Sequence, residues 1–326
     1  MSSFPLFRLT RTLPDDATAA ALRADVLHGL TGTPKTLPPK WFYDARGSEL
    51  FDEITTLPEY YPTRAEREIL VARAAEIVAT TGARTLVELG SGSSDKTRHL
   101  LDAAAERSSL STYVPVDVSE SALRGAAKVL LDEHPALDIH ALVADFTRGL
   151  TLPETPGPRL VAFLGGTIGN LLPGERAEFL AAVRALMSPG DFFLLGADLV
   201  KDPATLVAAY DDPTGVTAAF DKNVLAVVNR ELGADFDLDA FAHVAVWDAE
   251  HEWIEMRLRS TAAQTVKIPA LDLAVDFAAG EELRTEISAK FRRESLGDEL
   301  RQAGLEPARW WTDEGGRFAL CLSTVA

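Results

Sequence analysis

The residues with the clearest capacity for chemistry lie in one run, Thr85–Thr97, TLVELGSGSSDKT. Gly90 and Gly92 lack Cβ atoms, so the backbone can turn tightly there and admit a ligand to close range. A helix opening at Ser94–Asp95 would aim unpaired N–H groups at an anionic part of that ligand. A dinucleotide fingerprint would carry a third glycine where Asp95 stands, and Glu88 adds a second acid just ahead of the turn. Both acids oppose a pyrophosphate. They suit a ligand with a cationic amino-acid head, such as S-adenosylmethionine (AdoMet), which makes Glu88, Gly90 and Gly92 candidate cofactor contacts. Lys96, one turn into the expected helix, can pair with the carboxylate of that head or lie solvated along the helix face.

A framework must hold these residues in place. From about Arg64 to Leu199, short apolar runs (Thr85–Leu89, Thr112–Asp117, Ile139–Ala144, Leu160–Leu164, Phe192–Ala197) alternate with helical stretches such as Glu120–Leu131 and Gly174–Met187. Continuous apolar strands separated by helices imply a parallel sheet covered on both faces. Ligands of such sheets bind beyond the carboxyl ends of the strands, which singles out Glu88, Asp117, Asp145, Asn170 and Asp198. Asp117 can accept hydrogen bonds from both hydroxyls of a ribose, or satisfy loose amides at the start of the next helix. Asp145 can accept from an adenine amino group while Phe146 covers the base. Three acids at successive strand ends describe one rim.

After about Val200 the pattern changes. Helical stretches (Pro203–Tyr210, Gly215–Leu232) lead into alternating segments such as HVAVWD, WIEMRLRS and LRTEISAKF, which predict antiparallel strands with one solvated face. A helix (Ser295–Ala303) and two short strands, around Trp310 and at Phe318–Leu322, close the chain. The expected fold class is α/β, a Rossmann-like sheet with a second α+β substrate-binding lobe. Residues 1–63 are expected to form an N-terminal segment packing with the substrate lobe, 64–199 the AdoMet-binding domain and 200–326 the α+β lobe.

Apolar content of 47% with 25% charged residues is ordinary for a globular chain of 326 residues. The net charge of −17 argues against a nucleic-acid partner, which needs clustered Lys and Arg. No apolar run is long enough to span a bilayer, and the N-terminus lacks a signal-peptide core. Cys321 is the single cysteine, so no intramolecular disulfide can form, and its apolar surroundings predict a buried, inert thiol. The six histidines lack ligand spacing, so no metal site is expected. A reducing cytoplasm fits this composition.

The segment FLGGTIGN after the fourth strand brings Gly165, Gly166 and Gly169 to one strand end, and Asn170 adds an amide that both donates and accepts. Three of the five tyrosines, Tyr43, Tyr60 and Tyr61, cluster in WFYDARGSELFDEITTLPEYYPTR, and Tyr210 follows in AAYDDPTG. Together with VELGSGSSDKT and FAAGEELRTEISAKF, these segments make the chain similar to the histidine-specific Nα-methyltransferases, over nearly its whole length. That family makes hercynine, the trimethylated betaine of histidine, in ergothioneine biosynthesis. The resemblance implies a monomer that uses AdoMet three times in succession, releases S-adenosylhomocysteine (AdoHcy), and takes L-histidine and its mono- and dimethylated forms as substrates.

Carried over by position, the resemblance places Asn170 and Tyr210 on the substrate carboxylate; Gly165, at the same strand end as Asn170, is a further candidate substrate contact. It places Tyr43 and Tyr60 at the reacting amine, Glu286 and Ser288 on the imidazole, and Met256 along the pocket. Cofactor contacts come from Gly90, Lys96, Asp117, Asp145 and Phe146. The chain departs from the family at Gly166, where relatives often carry serine, and at Ala289, where a relative carries cysteine. The residue chemistry agrees with the substrate assignment. Strand alternation puts Glu286 and Ser288 on one face, where a carboxylate accepts an imidazole N–H and a hydroxyl serves the other nitrogen; apart from the resemblance, the same pair equally suits a solvated polar face. The alternative acceptor is another small amine or amino acid such as tryptophan, whose indole offers one donor and no ring acceptor.

Overall fold

The structure is a computed structural model describing residues 7–14, 16–107, 109–146 and 149–325. Its elements begin with β1 (Phe7–Arg11), α1 (Ala17–Thr31), β2 (Lys35–Thr36), α2 (Ala45–Thr56) and α3 (Pro62–Thr81). The alternating section comprises β3 (Thr85–Leu89), α4 (Arg98–Arg107), β4 (Thr112–Asp117), α5 (Glu120–Glu133), β5 (Asp138–Val143), β6 (Arg159–Phe163), α6 (Pro173–Leu186) and β7 (Phe192–Asp198). Then come α7 (Pro203–Tyr210), α8 (Val216–Leu232), β8 (Phe241–Asp248), β9 (Trp253–Ser260), β10 (Gln264–Ile268), β11 (Leu273–Phe277) and β12 (Glu282–Ala289). The chain closes with α9 (Arg293–Gln302), β13 (Leu305–Thr312) and β14 (Phe318–Val325).

Two compact units result. The first takes residues 7–14, 64–199 and 291–325. Its eight-stranded sheet runs β1-β5-β4-β3-β6-β7-β14-β13. The five strands from β5 to β7 are mutually parallel and follow the doubly wound order, so the chain reverses direction across the sheet between β3 and β6. That reversal opens a crevice at the carboxyl ends of those two strands, where the glycine turn and FLGGTIGN lie. Every residue of β3 is buried, as are Val114 and Val161 of its neighbours and Leu194 of β7 beyond. Each such aliphatic side chain contributes about 1.5–3 kcal/mol on burial, which fixes the strand ends firmly.

Two expectations about this unit fail. The closing hairpin does not belong to the second lobe: β14 pairs antiparallel with β7, from Phe318 against Asp198 to Thr324 against Phe192. An unbroken apolar strand such as FALCLS needs cover on both faces, and the edge of the main sheet supplies it. Cys321 lies in that strand, 1% exposed, with burial pushing its thiol up to about 11. At the opposite edge, β1 pairs parallel with β5, so this part of the N-terminal segment also extends the main sheet.

The second unit takes residues 16–63 and 200–290. A four-stranded sheet of order β2-β12-β9-β8 is mainly antiparallel, and β10 and β11 form a separate hairpin. Helix α8 presents Phe220, Val224, Leu225 and Val228 as a buried stripe at helical spacing. Among the described residues, no helix is long and apolar enough to cross a membrane.

Candidate active site

In the first unit the glycine turn is tied down from below. Gly90 and Gly92 hold φ of +69° and +49°, and the amides of Gly90 and Ser91 donate to the Val116 carbonyl at 2.8 and 3.1 Å. Glu88 does not face the open side of this turn. It is 4% exposed, one oxygen accepting from Thr97 and the other from Tyr113, whose hydroxyl also contacts Ser94 Oγ at 2.8 Å. Burial pushes the Glu88 carboxyl up to about 7 despite those two hydrogen bonds and nearby Lys96, and Glu66 adds to the rise. The residue underpins the turn and is not positioned as a ligand contact.

The helix expected at Ser94–Asp95 begins instead at Arg98. Ser94 lies at φ +56°, a left-handed conformation that interrupts any helix, and Lys96 therefore sits in the preceding turn. Asp117 spans the glycine turn and the next helix: its carboxylate accepts from Gly92 N at 2.9 Å and Ser119 N at 2.8 Å. Phe146 lies against the turn, since a Cβ built on Gly90 would be 3.4 Å from its ring. Phe163 and Phe179 brace that ring, with centroids 5.4 and 5.8 Å away. Asp145, just before it, is partly exposed after β5. Asp198 leaves the rim: it is 4% exposed, and its side chain accepts from Leu199 N at 3.0 Å.

One residue missed in the sequence organises the other side of the crevice. Glu66, on α3, is fully buried and accepts from Gly165 N at 2.8 and 3.0 Å while pairing with Lys96 Nζ at 2.5 Å. It thereby joins two residues that sequence reasoning had treated separately. Gly165 and Gly166 hold φ of +84° and +70°, and Asn170 ends the short helical turn Thr167–Asn170 that follows. Strand β7 leaves room for Glu66 at Gly196, where a Cβ would be 2.2 Å from Glu66 Oε1. A glycine inside a buried strand, and a glutamate three and four residues from the core residues Ile69 and Leu70, were the available signals.

In the second unit the rings meet in sequence. Tyr43 contacts Phe51 and Phe220 at 5.5 and 5.4 Å, Phe51 contacts Tyr60 at 6.1 Å, and Tyr60 meets Tyr210 edge-on at 6.2 Å. Asn223 of α8 holds the Tyr43 segment by donating to the Phe42 carbonyl at 2.9 Å and to Asp44 Oδ1 at 2.8 Å. Tyr43 is 51% exposed as a residue, with its ring packed on Phe51 and Phe220. Partial desolvation by its surroundings, then the charge of Glu286 and the presence of Tyr210, raise its pKa above the ordinary phenol value. Tyr61 stands apart, buried and bonded to Lys201 Nζ at 2.6 Å, in a packing role.

Glu286 pairs across the sheet with buried Met256, and Ser288 with Ile254, so the expected alternation holds from Glu286 onward. A bulge precedes it, between Arg284 and Glu286. The extra residue, Thr285, turns into the core, donating to Asp221 and to the Met256 carbonyl. Asp221 also takes His243 Nδ1 at 2.6 Å, and the Nε2 of the same ring reaches the Tyr210 carbonyl at 2.8 Å. With an acceptor at each nitrogen, the ring is held as an imidazolium. Burial opposes that charge, but Asp221, the Tyr210 carbonyl and Asp211 outweigh it and raise the His243 pKa. Tyr210 itself, at the end of α7, lies 2.7 Å from Ser288 Oγ, and Lys290 touches both. Neither His243 nor Lys290 was marked in the sequence, because Asp221 and Tyr210, which they meet, lie far along the chain.

A family model described as histidine-specific methyltransferase, SAM-dependent, matches residues 22–325. The chain is 59% identical to histidine N-alpha-methyltransferase of Mycobacterium tuberculosis (strain CDC 1551 / Oshkosh), over 95% of its own length and 97% of that protein. It is 58% identical to the enzyme of the same name from Mycolicibacterium smegmatis, over 97% and 98%. It is also 30% identical to ergothioneine biosynthesis protein 1 of Neurospora crassa, over 89% of its own length but 33% of that longer protein.

Proposed function

Because the chain belongs to the family of histidine-specific, SAM-dependent methyltransferases, we propose that it trimethylates the α-amino group of L-histidine, giving hercynine, the first step of ergothioneine biosynthesis. The observation that carries this reading is the pair on β12: Glu286 and, two residues on, Ser288 offer an acceptor and a hydroxyl to the two imidazole nitrogens. An indole would leave one of them unmatched.

The first unit suits AdoMet. A Cβ at Gly92 would meet nothing within 4 Å, so the turn is open on that side, and Phe146 offers an aromatic face beside Gly90. Gly90, Gly92, Lys96, Asp117, Asp145 and Phe146 would hold the cofactor, with Glu88 supporting the turn beneath. Bound AdoMet supplies an electrophilic methyl on a sulfonium, and leaves as AdoHcy.

The chain's own residues align and desolvate the amine. In the second unit Tyr210 would take the histidine carboxylate, with Met256 as an apolar wall; Asn170 and Gly165 are the first unit's candidate substrate contacts. Free α-amines are mostly protonated near pH 7, so a proton must leave before attack. A phenol with an ordinary pKa of about 10 is already neutral at that pH, and the Tyr43 pKa is raised further. We take Tyr43, with Tyr60, to orient the amine through its hydroxyl. Most of the rate then comes from alignment. The tyrosine faces also attract the amine as it becomes a quaternary cation. The same reading has the enzyme work on small molecules as a cytoplasmic monomer.

Calorimetry on Glu286→Ala tests the assignment. Histidine affinity is expected to fall at least tenfold, the loss of one charge-assisted hydrogen bond of about 1.5–3 kcal/mol, while AdoHcy affinity is kept. Unchanged histidine binding would remove Glu286 from the imidazole site.

A further inference from the structure

His243 stands on β8 with its side chain 2% exposed, and both ring nitrogens are engaged. Nδ1 donates to Asp221 Oδ2 of α8 at 2.6 Å, and Nε2 donates to the carbonyl of Tyr210, the last residue of α7, at 2.8 Å. Asp221 is fully buried, and its other oxygen accepts from Thr285. Thr285 is the extra residue of the β12 bulge, directly ahead of Glu286. One imidazolium–carboxylate pair therefore ties α7, α8 and β12 together, at the points where Tyr210 and Glu286 leave the backbone.

A carbonyl and a carboxylate can only accept, so this pair of bonds needs a proton on each ring nitrogen. A neutral ring keeps one. The carboxylate claims it, because the charge-assisted bond is the stronger, and the Nε2 lone pair is left facing the Tyr210 oxygen. That contact is repulsive, and the end of α7 must move away from it. We propose that His243 is a positioning residue for the substrate, holding Tyr210 and the Glu286 bulge in their binding arrangement only while its ring is doubly protonated. Burial opposes that charge, yet the pKa is raised, because Asp221 of α8, the Tyr210 carbonyl at the end of α7 and Asp211 beyond it all favour a cation. From β9 the ring meets the uncharged Leu258, while alternation points Arg257 and Arg259 to the opposite face. This inference rests on the reading that the second unit receives histidine.

The test is calorimetry across pH with L-histidine and with AdoHcy, on the wild type, His243→Gln and Asp221→Asn. Glutamine donates without a charge, and asparagine removes the carboxylate that holds the second ring proton. At about pH 6, below the ordinary imidazole value, each variant should bind L-histidine about tenfold to a hundredfold more weakly, as for a lost charge-assisted hydrogen bond. AdoHcy affinity should stay within about twofold of wild type. The titration of the ligand itself cancels in the ratio of wild-type to variant affinity at each pH. Because the folded pKa is raised, the wild-type advantage is complete below about pH 6.5 and is lost as pH climbs through the folded value. The ratio should therefore shrink by about threefold or more between about pH 6 and about pH 9. A ring that only fills space would give a ratio independent of pH.

The proposal is overturned if His243→Gln binds L-histidine like the wild type, if the ratio does not change with pH, or if AdoHcy affinity falls by the same factor. Should the glutamine variant not fold, Asp221→Asn gives the same readings. Failure of both to fold makes the pair purely structural, which also overturns the proposal. Wild-type protein that fails to bind L-histidine would strike the functional reading itself, a separate outcome.

Discussion

Asp117→Asn probes the cofactor rim with almost no change of shape. The carboxylate accepts from Gly92 N at 2.9 Å through one oxygen and from Ser119 N at 2.8 Å through the other. An asparagine has a single acceptor oxygen, so its amide nitrogen must face one of those N–H groups. Leaving a backbone N–H without its acceptor costs about 1–3 kcal/mol. Losing the anionic partner of a ribose hydroxyl adds about 1 kcal/mol. The free protein can relax the turn, but binding must restore it, so most of this sum of about 2–4 kcal/mol falls on the complex. At 1.4 kcal/mol per factor of ten, AdoHcy should bind about 30- to 700-fold more weakly. Calorimetry with AdoHcy measures this directly, and histidine affinity, measured in parallel, reports whether the second unit is intact. An AdoHcy affinity within threefold of wild type would refute the argument that Asp117 couples the turn to the ribose.

His243 gives a pH-dependent prediction. Its pKa is raised in the folded protein, so its contribution to stability is complete below the ordinary value near 6.5 and is lost as pH rises through the folded value. The gap in melting temperature between wild type and His243→Gln should therefore be widest near pH 6 and narrow toward alkaline pH. A gap independent of pH would show that the ring is not held as an imidazolium. Gly196→Ala should lower the melting temperature, because its Cβ would be 2.2 Å from Glu66 Oε1 and 3.3 Å from the Phe318 ring. Overpacking of this kind costs about 1–3 kcal/mol, and an unchanged melting temperature would mean that Glu66 can move aside freely.

Local pattern made much of the architecture legible. Strands Thr85–Leu89 and Thr112–Asp117 and helix Pro203–Tyr210 have the bounds that apolar runs and turn signals predict. Other elements shift by a residue or two at their ends, as helix Glu120–Glu133 does against Glu120–Leu131. Periodicity could not place β14, whose apolar run suits any buried strand and whose partner, β7, lies more than a hundred residues upstream. The helix start at Arg98 was hidden because Ser94, an ordinary residue, adopts a conformation usually left to glycine.

Candidate site residues could be marked from sequence where one segment carries its own chemistry, as at Gly90, Gly92, Asp117 and Phe146, or at Glu286 and Ser288. Others were illegible where a charge is neutralised from afar. Glu66 is invisible until Lys96 and Gly165 meet it, and Lys290 until α7 brings Tyr210 to β12. Glu88 shows the converse error. An acid beside a glycine turn looks like a ligand contact, yet its partners, Thr97 and Tyr113, draw it into the core.

The central claim is that this protein methylates the α-nitrogen of histidine. Mass spectrometry of histidine incubated with AdoMet and the purified enzyme tests it most directly, with fragmentation to locate the added groups. The account predicts mono-, di- and then trimethylated histidine, every methyl on the α-nitrogen, with AdoHcy formed in step. Methylation on the imidazole, or no methylated histidine while tryptophan is consumed, would contradict it.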